Sequence, residues 1–281
     1  MRTTTSRRAR STALTGGGRR WGGGVVAIAT LALALGACAS QPAGPGGGPG
    51  QDPATAATGE LRVMAAASLA AVFDELAELY VAENPGVEAP VITYDGSSTL
   101  ATQLIEGAEA EVFASADEAN MAKAVDAGLV QGAPAVFATN TLQIAVAPGN
   151  PAGIGSLADL ADPQLQVVLC APEVPCGAAS ATAFAAAGVR VSPASEEQNV
   201  TAVLTKVALG EADAGLVYAT DVLVSHGGVD GVAFEESAVA VNSYVIGELA
   251  GASGPAARAF VELVVSPAGQ RVLAAHGFGP A

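Results

Sequence analysis

From residue 60 onward, short apolar runs alternate with stretches in which apolar residues recur every three or four positions. In the first such stretch Leu69, Val72, Phe73, Leu76, Leu79 and Tyr80 share one helical face, and Asp74, Glu75 and Glu78 take the other. Asn84-Pro85-Gly86 then stops it. The run at 61–66 just before it has the length and composition of a buried strand. The same spacing predicts strands at 91–94, 112–114, 142–147, 167–170, 214–218 and 239–246. It predicts helices at 99–106, 119–127, 178–187, 200–209, 256–265 and 268–276, with turn clusters between them. Strand and helix in alternation, without an internal repeat, predict an α/β chain of parallel strands joined by helices.

The first 59 residues differ in kind. A basic start with six arginines, among them the pair Arg19-Arg20, precedes the apolar run 25–35, which is short for a membrane span. It ends in Leu35-Gly36-Ala37-Cys38, which resembles a bacterial lipoprotein box. The expectation is a lipoprotein signal peptide over 1–38, lipidated at Cys38, with the protein exported and held at the outer face of the cell membrane. Residues 39–59 are rich in Gly, Pro, Ala and Gln and cannot bury a core, so they predict a disordered tether.

Removal of that segment changes the charge balance. Six of the twelve basic residues and none of the 27 acidic ones lie in 1–38, so the remainder carries a formal charge of −21. Such a surface excludes nucleic acid as a partner. Any anion bound by this protein is bound against the overall field, by local dipoles. Cys170 and Cys176 close a short loop stiffened by Pro172 and Pro175, and in an exported chain they predict a disulfide. So small a loop gains only about 2 kcal/mol from chain entropy. With only His226 and His276 as histidines, far from these cysteines, no metal-ligand pattern is present.

Four helices begin with small-residue loops that follow a strand: Ala66-Ala67-Ser68, Asp95-Gly96-Ser97-Ser98, Pro175-Cys176-Gly177 and Gln198-Asn199-Val200. In open α/β sheets ligands gather at the carboxyl ends of strands, where first helical turns offer unpaired N–H groups and a partial positive charge to an oxyanion. Ser68 and Ser97 equally suit ordinary helix capping, and Tyr218 suits a buried strand position.

Three strings then add a resemblance. Val63-Met64-Ala65-Ala66-Ala67-Ser68-Leu69, Tyr94-Asp95-Gly96-Ser97-Ser98-Thr99-Leu100 and Glu111-Val112-Phe113-Ala114-Ser115-Ala116-Asp117 resemble, in order, the periplasmic molybdate-binding proteins of ABC importers. The likeness continues through 172–177, 197–200, 214–221 and the tail 269–278, and covers essentially everything after residue 60. It implies the two-lobed type II periplasmic-binding-protein fold with a ligand cleft between lobes. Lobe I would hold 60–138 and 243–281 and lobe II 139–242, with crossings near 137–141 and 240–244.

The implied function is capture of molybdate or tungstate and its delivery to the membrane permease of an ABC importer, with no enzyme activity and no cofactor. The implied anion ligands are the hydroxyl and backbone N–H of Ser68 and of Ser97, the backbone N–H of Cys176 and of Val200, and the phenol of Tyr218. Molybdenum would be held only as the oxyanion, by these same residues. All are neutral donors, which suit a fully deprotonated anion and disfavour protonated phosphate. The sequence departs from the family at Asp95 and Gly96, and a carboxylate at 95 would repel a dianion unless it is turned away.

The nearest alternative is a binding protein for sulfate or another tetrahedral oxyanion. An exported serine hydrolase using Ser68 or Ser97 is more distant: the chain has no Gly-x-Ser-x-Gly elbow, no Ser-x-x-Lys pair and too few histidines.

Overall fold

The computed structural model describes residues 60–252 and 254–281. The expected signal segment 1–38 with Cys38, and the tether 39–59, lie outside the described residues.

Strand β1 (Arg62–Ala66) runs through a 3-10 turn, Ala67–Leu69, into helix α1 (Ala70–Glu83), followed by β2 (Val91–Asp95), α2 (Ser97–Ile105), β3 (Val112–Ser115), α3 (Glu118–Asp126) and β4 (Val130–Asn140). Then come β5 (Leu142–Val146), β6 (Val167–Cys170), α4 (Pro175–Ala187), β7 (Ser195–Glu197), α5 (Val200–Ala208), β8 (Ala214–Tyr218), α6 (Ala219–Val224) and β9 (Asp230–Val232). The chain closes with β10 (Asn242–Leu249), α7 (Ala256–Val265) and α8 (Pro267–Ala275). This is the α/β class the spacing predicts. In α1 the apolar stripe is buried as expected, with Val72, Phe73, Leu76 and Tyr80 inside and Asp74, Glu75 and Glu78 exposed.

The strands form two five-stranded sheets, ordered β2-β1-β3-β10-β4 and β7-β6-β8-β5-β9. β1 is parallel to β2 and β3, and β6 is parallel to β7 and β8, while β10 and β5 run antiparallel to their neighbours. The chain passes from the first sheet to the second at Thr141, between β4 and β5, and returns between β9 and β10. A line of edge-to-face and tilted rings links the first core to the crossing: Phe73 to Phe137 at 6.0 Å, Phe137 to Tyr244 at 6.1 Å and Tyr244 to Tyr218 at 5.8 Å. Such pairs add roughly 0.5–1.5 kcal/mol each beyond the area they bury.

Three strands were not expected. β4 carries Gly132, at φ +71°, and Pro134, two residues that weaken a strand pattern, yet it pairs along β10, with a register irregularity between Ala135 and Gln131 that spans them. β7 and β9 are three residues long, below the length at which alternation is visible. The strand expected at 239–246 begins at Asn242, because Glu235–Val239 forms a 3-10 turn. Val239 and Val241, whose apolar character suggested the earlier start, are 64% and 48% exposed.

Candidate functional site

The parallel strands of both sheets point their carboxyl ends at one small cavity. Ser68 lies in the 3-10 turn after β1, Ser97 opens α2 after β2, Cys176 is the second residue of α4 after β6, Val200 opens α5 after β7, and Tyr218 ends β8. All five line this cavity, together with Gly96, Ala116 and a few small apolar neighbours. None of the lining residues is charged.

The two serines do not cap their own helices. The cap positions are Ala66 and Gly96, and neither makes a side-chain cap bond. Ser68 Oγ instead shares a hydrogen bond with the Tyr244 hydroxyl at 2.9 Å. Ser97 Oγ accepts from the backbone N–H of Ala116 at 2.9 Å, so its own proton remains available as a donor. Ala116 is held on its other side as well, since its carbonyl accepts from Asn242 Nδ2 at 2.9 Å. The backbone N–H groups of Ser97, Cys176 and Val200 belong to first helical turns, which have no intrahelical acceptor. Three helix N-termini therefore add partial positive charge around a neutral cavity.

The disulfide is present between Cys170 and Cys176, with Cα atoms 5.7 Å apart. It ties the end of β6 to the first turn of α4. Gly177 allows the same turn to lie against the preceding loop, because a Cβ there would stand 1.9 Å from the carbonyl oxygen of Ala171. Asp95, whose charge would oppose an anion, has its Oδ1 occupied by the Gly96 N–H at 2.7 Å and by Asn199 Nδ2 at 2.8 Å.

Tyr218 is 1% exposed, and among the described residues its hydroxyl makes no hydrogen bond of normal geometry, the Tyr244 hydroxyl being its polar neighbour. Burial, with Tyr244 and Asp221 adding to it, holds its ionisation well above the ordinary tyrosine range, so the group stays a neutral O–H. An unpaired buried hydroxyl costs roughly 1–3 kcal/mol, and the neutral Tyr218 O–H can donate to an acceptor placed in the cavity.

Asp221, buried in the first turn of α6, accepts the Tyr218 N–H at 2.9 Å. Desolvation pushes its carboxyl up from 3.8 to about 7, against the smaller lowering effect of that bond. In the window from about 4 to about 7 the folded chain thus holds a proton that the unfolded chain has released, so this group's contribution to stability falls as pH rises. Asp221→Asn keeps an acceptor for Tyr218 and should flatten this dependence. Urea unfolding of both proteins at about pH 5 and about pH 8 measures it: wild type should lose more stability between the two than the variant. Equal losses would place the carboxyl's titration elsewhere.

Ser68, Ser97, Cys176, Val200 and Tyr218 were all expected from the sequence. Ala116, Tyr244 and Asp221 were not. Ala116 had a usable signal, since it follows the carboxyl end of β3, whereas Tyr244 reaches Ser68 from 176 residues away.

A small cavity without charged side chains, at facing strand ends of two α/β sheets, suits the binding of a small solute. The chain belongs to the family of bacterial extracellular solute-binding proteins, which it matches over residues 61–279. Among curated proteins it is 47% identical over 256 residues to the molybdate-binding protein ModA of Mycobacterium tuberculosis (strain ATCC 25618 / H37Rv), covering 89% of this chain and 94% of that protein. Among solved structures, the Azotobacter vinelandii periplasmic molybdate-binding protein superposes with a TM-score of 0.69 at 21% identity, over 79% of this chain and 100% of that one. The sulfate-binding protein SubI from Mycobacterium tuberculosis H37Rv gives 0.69 at 17% identity, over 79% and 87%. The two structures show the shared fold.

Proposed function

We propose that this protein captures molybdate or tungstate between two lobes and delivers it to the membrane permease of an ABC importer. The lobes are 60–138 with 243–281, and 139–242. The anion's ligands are the hydroxyls and N–H groups of Ser68 and Ser97, the N–H groups of Cys176 and Val200, and the Tyr218 hydroxyl. The protein is exported and held at the membrane by a lipid on Cys38, ahead of a tether at 39–59.

The Tyr218 hydroxyl carries this proposal, because among the described residues it is a buried group without a hydrogen bond of normal geometry, and it lines a cavity that has no charged side chain. The ModA relative at 47% identity supports the choice of anion. Each donor to a full charge contributes roughly 1.5–3 kcal/mol, so several together support tight binding after association costs. Phosphate, which keeps a proton near neutral pH, brings a donor to a cavity lined by no carboxylate. Binding rather than catalysis also fits Ser68 and Ser97, whose hydrogen-bond partners are Tyr244 and Ala116 rather than a base.

Calorimetric titration of ligand-stripped protein with molybdate, tungstate, sulfate and phosphate tests the proposal. Sub-micromolar binding of molybdate and tungstate alone is expected. Preference for sulfate would move the protein to sulfate uptake, and heats at the dilution level for all four would remove the anion site.

A further inference from the structure

We propose that Asp95 and Asn199 form a clasp across the mouth of the cavity that positions the donors on its two sides. The proposal rests on the oxyanion reading. Asp95 ends β2 in the first sheet, and Asn199 precedes α5, which follows β7 in the second, so their 2.8 Å bond joins the two halves of the site.

Each partner is also anchored on its own side. Asp95 Oδ1 accepts from the Gly96 N–H at 2.7 Å, and Asn199 Oδ1 caps α5 by accepting from the Ala202 N–H at 2.9 Å. With its oxygen spent on the cap, the Asn199 amide has only its NH₂ to offer, and that group requires an acceptor opposite, which the carboxylate supplies. The residues lie close in sequence to donors: Ser97 two positions after Asp95, and Val200 one after Asn199. Closing the clasp therefore brings the N–H groups of two different helices toward one point. It also turns one carboxylate oxygen, Oδ1, toward two donors beside the cavity, and Asp95 is not among the residues lining it. A charge-assisted bond of this type holds the two sides of the cavity together without belonging to the core of either, so Asp95 acts as a positioning residue, and its loss should appear in affinity and in the separation of the two sides rather than in thermal stability.

Exchange of the two groups tests this in the full chain. Asn199→Asp retains a good helix cap but sets two carboxylates face to face, and should weaken molybdate binding about 10- to 100-fold. Asp95→Asn alone keeps an acceptor and should cost less than about fivefold. The double variant Asp95→Asn/Asn199→Asp restores one carboxylate and one amide, and should return affinity to within about fivefold of wild type. Thermal midpoints of all four ligand-free proteins should agree within about 3 °C. Small-angle scattering without ligand gives a readout independent of the anion: Asn199→Asp should expand the protein and the double variant should reverse the expansion. Unchanged affinity and scattering for Asn199→Asp, or a loss that the exchange does not reverse, would overturn the clasp. Failure of wild type to bind any oxyanion would instead remove the ligand assignment, and the scattering series would still decide the clasp.

Discussion

Gly96→Ala is expected to weaken molybdate binding by about 100-fold while leaving the ligand-free protein folded and about as stable as wild type. The backbone of Gly96 lies at φ −60° and ψ 136°, a conformation open to any L-residue, so alanine brings no local strain. The obstacle is tertiary. A Cβ at position 96 would stand 2.0 Å from the carbonyl oxygen of Gln198, a backbone atom in the segment leading into α5. That oxygen cannot rotate aside as a side chain could, so the two edges of the cavity would have to separate. Separation moves Ser97 away from Val200, which opens α5 two residues after Gln198, and an anion then loses donors on one side. Overpacking of this kind costs typically 1–3 kcal/mol, the upper end of which is about 100-fold in affinity. Calorimetry with molybdate and a thermal melt of the ligand-free variant check both halves. Wild-type affinity would mean that the Gly96 to Gln198 approach is not needed for binding.

The second large effect concerns Tyr218→Phe, for which binding and stability should move in opposite directions. The ring is fully buried and packs edge-to-face against Tyr244 at 5.8 Å, and phenylalanine preserves that contact. Among the described residues the hydroxyl makes no hydrogen bond of normal geometry. Deleting it should leave the thermal midpoint of the ligand-free protein unchanged or raised, because an unsatisfied buried polar group is removed at little cost in packing. The same deletion takes a donor from the anion, worth roughly 1.5–3 kcal/mol, or about 10- to 100-fold in dissociation constant. Titration and melting of one purified variant give both numbers. A variant that binds molybdate as tightly as wild type would exclude the phenol as a ligand.

How legible each element was depends on what holds it in place. The three- and four-residue spacing of Leu69 to Tyr80 marked α1, because the stripe is a property of neighbours along the helix. The stop at Asn84-Pro85-Gly86 was equally local, with the Asn84 side chain donating to the Tyr80 carbonyl at 2.8 Å and Gly86 at φ +91°. β4 was illegible for the opposite reason. Its Gly132 and Pro134 break the pattern, and the strand exists because β10, over a hundred residues later, pairs with it. The premature start assigned to β10 came from Val239 and Val241, apolar residues that the fold leaves near solvent.

At the site, small-residue loops at strand ends and an ordered family resemblance singled out all five candidate ligands. Neither could supply their supports. Ala116 donates to Ser97 from 19 positions away, and Tyr244 meets Ser68 from 176. Nor could they show that Asp95 Oδ1 accepts a hydrogen bond from a residue 104 positions distant.

By itself, the sequence determined the strand and helix alternation, the acidic charge, the disulfide pair and the residue types at each strand end, because each depends on interactions within a few positions or on composition. Only the tertiary structure decided that these ends converge, that the serines are freed from capping and that the Tyr218 hydroxyl is buried without a partner. Those facts arise from packing two sheets whose contacts join residues a hundred or more positions apart, and the direction in which a donor points is set by that packing rather than by its neighbours in the chain.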